Sequence, residues 1–423
     1  MNVNVDDIFN DIGSNGQMDP ATARQIFNDK IVPLICAKEW GPTHPTFIMV
    51  AGQQGSGKST TIRQAKLGLR EEQTQIVISD DCDTFVPGYY DRALEEPMDA
   101  ARYAGSAGSD YFVQATIARA KRMGQNLVIE QALAVGSAFS AHRYKDLGYR
   151  TELHIVATPH YQSWTGVFDR AERALRTQGH IGTNVLVPRD AHDECYAGWA
   201  RAVFDAEQQK QYDRVVIARR DGTIMYDNQL VRQGNGTIDW HYPPKGLEVL
   251  LLERHRPVTE TDASEAYKTW KRIVESPHMN ACLGREHLKS YASEITGFVN
   301  SQASRVDLNA KGPVRFGANE LTRWSMNIVK DLDLAVSSRN QFGVSLEFER
   351  RTHQYSKTLH AVANEYHWDS LAMETSQKRR RRLTRLQDFV RSSRLQDFVK
   401  DTFRSGANYD KRQVGREASG RGS

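Results

Sequence analysis

Five short apolar runs punctuate the first half of the chain: TFIMVAG (46–52), QIVIS (75–79), QNLVIE (125–130), TELHIVAT (151–158) and DRVVIARR (213–220). None alternates cleanly between apolar and polar positions, which is the pattern of strands buried on both faces of a parallel sheet. Between them lie stretches with helical spacing, such as SDYFVQATIARAKRMG and HDECYAGWARAVFDAEQQKQYD. This strand–helix alternation predicts an α/β fold with a doubly wound parallel sheet. It runs to about Asn228, where RRDGTIMYDN reads as a hairpin. Ahead of it, ATARQIFNDKIVPLICAKEW reads as a short helical lead, ended by the two prolines of GPTHP.

From Thr259 the pattern changes. DASEAYKTWKRIVES, GREHLKSYASEITGFVNSQASRV, ANELTRWSMNIVKDLDLAV and RTHQYSKTLHAVANEYHWDSLAM are all helical in period, with no strand between them. The expected organisation is a helical lead (1–45), an α/β domain (46–250), a mostly helical region with no recognisable chemistry (259–375), and a tail (376–423).

The chain has 423 residues, 39% hydrophobic and 26% charged. A prior of roughly 150 residues per domain gives two or three domains of ordinary globular composition. No apolar run approaches the roughly 20 residues that span a bilayer. MNVNVDDIFNDIG lacks the basic and apolar segments of a signal peptide. Cys36, Cys82, Cys195 and Cys282 have no paired spacing, which argues against a disulfide framework or zinc knuckle. A reducing cytoplasmic setting is the default, with delivery by a signal-peptide-independent route as the alternative.

The net charge of +4 hides an asymmetry. Residues 376–423 hold 14 Lys+Arg against 5 Asp+Glu, a balance of +9 that leaves the rest at −5. The tail carries KRRRR and a short duplication, RLQDFVR and RLQDFVK, which suggests partial disorder. The acidic body gives no electrostatic reason to expect a nucleic-acid surface.

GQQGSGKS (52–59) satisfies GxxxxGK[ST] between an apolar strand and a helix. In that setting successive backbone N–H groups cradle phosphates, helped by the positive helix N-terminus. Gly52, Gln53, Gln54, Gly55, Ser56, Gly57, Lys58, Ser59 and Thr60 would form the nucleotide grip. Lys58 would reach the β/γ-phosphates and the Ser59 hydroxyl would ligate Mg²⁺, so ATP and Mg²⁺ are the expected cofactors.

Two groups of acids fall at strand ends. IVISDDCD puts Asp80, Asp81 and Asp83 past the second strand, and NLVIE puts Glu130 at the end of the third. Ligand crevices of open α/β sheets lie outside those carboxyl ends. An acid there can take a proton from a substrate hydroxyl. The plain alternative for DDCD is a solvated, helix-capping loop.

GQQGSGKST, VISDD, NLVIE, GYRTELHIVATP, SWTGVFDRAER and PRDAHD, in this order, resemble the zeta toxin family of P-loop kinases over about residues 45–228. The resemblance implies a phosphotransferase that uses ATP and Mg²⁺ on a sugar-nucleotide hydroxyl, typically of UDP-N-acetylglucosamine, within a toxin–antitoxin system. A related branch of effectors phosphorylates a ribose hydroxyl of NAD. It implies Asp81 as general base, with Asp80 if the loop shifts by one, and Glu130 as a substrate-contacting acid. Arg170 would neutralise charge on the transferring phosphoryl group, a choice that the residues alone do not make among Arg170, Arg173 and Arg176. An antitoxin or chaperone is the expected protein partner.

The chain also departs from the family. Ala132 and Ala134 replace a hydroxyl and an arginine, and another substrate-binding acid falls on Gln114. The second catalytic arginine falls near Asn184 or Val185, so Arg176 or Arg189 would have to stand in. A non-catalytic nucleotide-binding effector is the alternative these changes favour. His192, Asp193 and Cys195 read as ordinary helix residues. Tyr89 and Tyr90 read as packed aromatics or as a stacking surface for a base.

Overall fold

The computed structural model describes residues 5–10, 18–132, 137–256, 258, 260–302 and 331. The expected helices beyond residue 302 and the basic tail lie outside these residues, as does Ala134. Seven strands form one sheet: β1 (Thr46–Ala51), β2 (Thr74–Val77), β3 (Asn126–Gln131), β4 (Arg150–Ala157), β5 (Arg214–Arg219), β6 (Ile224–Arg232) and β7 (Ile238–Trp240). Their order is β2-β3-β1-β4-β5-β6-β7. The first five strands pair in parallel, whereas β6 and β7 add an antiparallel edge.

β1 shows why the apolar runs did not alternate. Phe47, Met49 and Ala51 enter one core with Leu127, Leu153 and Ile155, while Ile48 and Val50 enter another with Ile62 and Val128. Both faces are covered, so both must be apolar. β1 lies between β3 and β4, and the chain leaves it first to one side and later to the other. That is the switch point where the ends of parallel strands part and leave a crevice.

The expected hairpin is present: Arg219 N donates to Thr223 O (2.8 Å) between β5 and β6. β7 is an addition that the sequence pattern did not reveal. The second strand stops earlier than expected, because Ser79–Asp83 turns directly into a short helix. Asp80 and Asp81 occupy its first turn, where negative charge suits the helix dipole.

The helical segments flanking the α/β unit share a single large apolar cluster with it. Phe9 of the lead packs on both Phe27 and Phe112, and Trp270, Ile273, Leu288 and Ile295 join Trp164, Phe168 and Leu175. Among the described residues no helix is long and apolar enough to cross a membrane. All four cysteines are free.

Candidate nucleotide site

β1 delivers the chain into a loop whose bends depend on glycine. Gly55 (φ 70°) and Gly57 (φ 99°) occupy the left-handed region. A Cβ on Gly55 would stand 2.1 Å from the Ser163 carbonyl oxygen, and one on Gly57 would stand 2.8 Å from Arg220 Cγ. Gly57 directly precedes the helix Lys58–Ala65, whose first N–H groups have no helical acceptors and form an anion seat. From below, Thr158 Oγ1 donates to Ser56 O (2.7 Å), and fully buried Gln53 donates Nε2 to Thr158 O (3.1 Å). These bonds fix the loop to the end of β4.

Lys58 is only 6% exposed. Its Nζ donates to Gly52 O (2.9 Å) and Gln53 O (3.2 Å) and pairs with Glu130 Oε1 at 3.3 Å. Glu130 comes from β3, in register with Val50 of β1.

The acidic run does not form a solvated loop. Asp83 is buried and Asp80 and Asp81 are half-buried. Burial, then the neighbouring Asp80 and Glu130 charges, push Asp81 up to about 6. Burial lifts Asp83 to about 7 against a lowering hydrogen bond from Ser109. Burial also raises Asp80, with Arg170 and Lys58 drawing it down and Glu130 pushing it up. Asp80 is therefore the acid within the field of both cations.

A cavity of about 340 Å³ opens above the loop. One wall is Gly55, Gly57, Lys58, Ser59 and Glu130; the facing wall is Gly166, Asp169, Arg170 and Arg173 of the helix His160–Gln178. Arg220 completes the lining. Four cations against two carboxylates favour a polyanion. Arg170 Nη2 donates to Val185 O (3.1 Å), while its buried Nε has no hydrogen-bond partner among the described residues. An orphan donor of this kind fits an anionic ligand. The Ser59 hydroxyl and the Glu130 carboxylate supply hard oxygen donors that suit Mg²⁺.

The structure thus brings Gly55, Gly57, Lys58, Ser59, Glu130 and Arg170 together. Gly52, Gln53, Gln54, Ser56 and Thr60 build the loop and helix start without lining the cavity. Asp81 also lies outside the lining, within the field of Glu130. Gln114, on the helix Ser109–Arg122, is exposed and outside the cavity. The Ala132 carbonyl accepts from Trp199 Nε1 (2.8 Å).

Neither arginine expected to stand in reaches the cavity. Arg176 pairs with Glu172 (3.3 Å), and Arg189 pairs with Asp193 (3.1 Å) and Glu294 (2.9 Å). Both are held on the far side by carboxylates of their own or a neighbouring helix. The additional cation is Arg220, which the sequence reading passed over within DRVVIARR. Its signal was its place, one residue beyond the carboxyl end of a parallel strand.

Tyr89 is buried, with its hydroxyl donating to Gly182 O (2.9 Å), whereas Tyr90 is exposed against the His180 ring. His160 and His192 converge on Asp193 at 2.6 and 3.0 Å, and Arg189 also donates to that carboxylate. This set closes on itself by hydrogen bonds.

A phosphate loop at the switch point of a parallel sheet, faced by acids at strand ends and an arginine-bearing helix, defines a P-loop kinase-like nucleotide-binding domain. Residues 36–231 match the family model described as zeta toxin. A protein named toxin zeta from Streptococcus pyogenes is 26% identical over 206 residues, covering 48% of this chain and 69% of that protein. One of the same name from Enterococcus hirae is 26% identical over 189 residues, covering 44% and 64%. A solved structure from work on the PezAT chromosomal toxin–antitoxin system of Streptococcus pneumoniae aligns with a TM-score of 0.47 at 19% identity. It covers 60% of this chain and 94% of that one. Residues 36–231 are thus similar to the zeta toxin family.

Proposed function

We propose that this protein transfers the γ-phosphoryl group of ATP to a hydroxyl of a small molecule, with a nucleotide-sugar such as UDP-N-acetylglucosamine as the first candidate acceptor, and that it acts as a bacterial toxin. The observation that carries this reading is the cavity itself, which Lys58 of the phosphate loop and Arg170 both line, with Asp80, Asp81 and Glu130 within the same field.

The loop amides and Lys58 hold the polyphosphate, and Arg170 offsets charge on the phosphoryl group in flight. Ser59 and the nearby carboxylates would hold Mg²⁺, which when bound would supply positive charge to offset that of the phosphates. Asp81 takes the acceptor's proton, with Asp80 as the alternative base. A carboxyl raised to about 6 is ionised at neutral pH yet basic enough to accept that proton. The rate should therefore fall as pH drops through about 6 and Asp81 becomes protonated. Asp81→Asn should remove this acid limb together with about 10²–10⁴ of the rate. If the limb persists in Asp81→Asn, the base is another residue.

A second reading, nucleotide binding without turnover, is favoured by exposed Gln114 and by the Ala132 carbonyl held on Trp199. γ-Labelled ATP offered with a panel of sugar nucleotides and dinucleotides separates the two, with Lys58→Ala as control. Label on one acceptor that is lost in Lys58→Ala supports transfer to that acceptor. Bound nucleotide with no labelled product on any member of the panel supports the second reading.

A further inference from the structure

Arg220 stands where three elements meet. It follows β5, its Nη1 donates to the Gly55 carbonyl at the crest of the phosphate loop, and the same nitrogen reaches Gln162 O at 3.4 Å. Gln162 opens the helix that carries Arg170. The guanidinium therefore ties the loop crest to the first turn of that helix.

Two glycines leave it room. A Cβ on Gly166 would lie 2.6 Å from Gly55 O and 2.8 and 2.9 Å from Arg220 Nη1 and Nη2. A Cβ on Gly57 would strike the Arg220 stem. With hydrogen in both places, loop, guanidinium and helix stack without a spacer. Asp169 is the counter-charge nearby, while Arg170 and Arg173 share the same field. A cation kept beside two others is costly unless an anion arrives to share.

We propose that Arg220 is a positioning residue of the nucleotide site: it clamps the phosphate loop against the Arg170 helix, so that phosphate grip and phosphoryl-stabilising arginine are set at a fixed distance. Both bonds leave one nitrogen of a planar, pre-oriented guanidinium, a fixed geometry that a lysine ammonium on a flexible stem reproduces less well. Gly166 serves the same clamp by its lack of a side chain.

The inference rests on the nucleotide reading of the cavity, so its test begins with binding, which needs no known acceptor. Fluorescent mant-ADP is titrated into wild type, Lys58→Ala, Arg220→Met, Arg220→Lys and Gly166→Ala, with the thermal midpoint of each recorded. Losing a charged hydrogen-bond donor should weaken binding about tenfold to a hundredfold in Arg220→Met. Arg220→Lys should recover part of the affinity, and Gly166→Ala should weaken binding with Arg220 still present. In ATP turnover, where KM and kcat separate, Arg220→Lys should lower kcat by a larger factor than it raises KM, because charge is kept and register is lost. Failure of wild type to bind mant-ADP would overturn the nucleotide site itself. If wild type binds, Lys58→Ala does not, and folded Arg220→Met binds within twofold of wild type, the clamp alone is wrong. Should Arg220→Met not fold, Arg220→Lys and Gly166→Ala both matching wild type in affinity and kcat overturn it as well.

Discussion

On the helix His160–Gln178, the face toward the cavity carries Gly166, Asp169, Arg170 and Arg173, whereas the opposite side offers Thr165, Phe168 and Glu172 to the helices after residue 260. Both sets repeat at helical spacing, yet they answer to different physics. The cavity face gathers two arginines for one carboxylate, Asp169, which pairs with Arg173, and Arg170 is left with an unpartnered buried Nε that suits a ligand. The rear face gathers aromatics: Phe168 lies 5.3 Å from the Trp270 ring and 5.4 Å from Tyr291, and Trp270 Nε1 donates to Thr165 Oγ1 (2.9 Å). Arg272 of the helix Glu260–Glu275 pairs with both Asp169 and Glu172. The rear packing supplies the stability that a row of cations cannot. The helices following the α/β unit thereby buttress the phosphate side, and none of their described residues lines the cavity.

The comparison breaks if either face does the other's work. The largest expected effect is at the front: Arg170→Ala should lower phosphoryl transfer by about 10³ or more, with a thermal midpoint close to that of wild type. A large fall in the midpoint would mean that Arg170 is mainly structural. At the rear, Trp270→Ala empties a site that is 1% exposed and should cost about 3–5 kcal/mol in urea unfolding. Transfer by the fraction still folded should be reduced far less than in Arg170→Ala. Trp270→Phe is the fine probe: it keeps a ring and leaves Thr165 without its donor, so about 1 kcal/mol of stability should go. No change in Trp270→Phe would mean that the indole hydrogen bond contributes nothing beyond packing.

Much of this site was legible along the chain. The phosphate loop is a local object, because successive amides, two left-handed glycines and the first turn of a helix are set by neighbouring residues. Five strands could be placed for a similar reason, as burial on both faces demands an unbroken apolar run. Glu130 and the Asp80–Asp83 cluster were found from one topological rule about strand ends. The selection among Arg170, Arg173 and Arg176 was not legible from the residues themselves. Arg170 and Arg173 line the cavity and Arg176 turns to Glu172, a difference of rotation about one helix axis.

By itself, then, the sequence determined a P-loop α/β unit, its phosphate grip, and the acids at its strand ends. Tertiary structure decided what faces that grip. Arg220 reaches Gly55 across 165 positions of chain because β5 lies two strands from β1. Glu130 meets Lys58 because β3 pairs with β1. Trp270 finds Thr165 because two apolar helix faces are buried together. Local motifs record conformations that a few adjacent residues impose, whereas a site built from distant residues exists only once strand order and helix packing bring them within contact range.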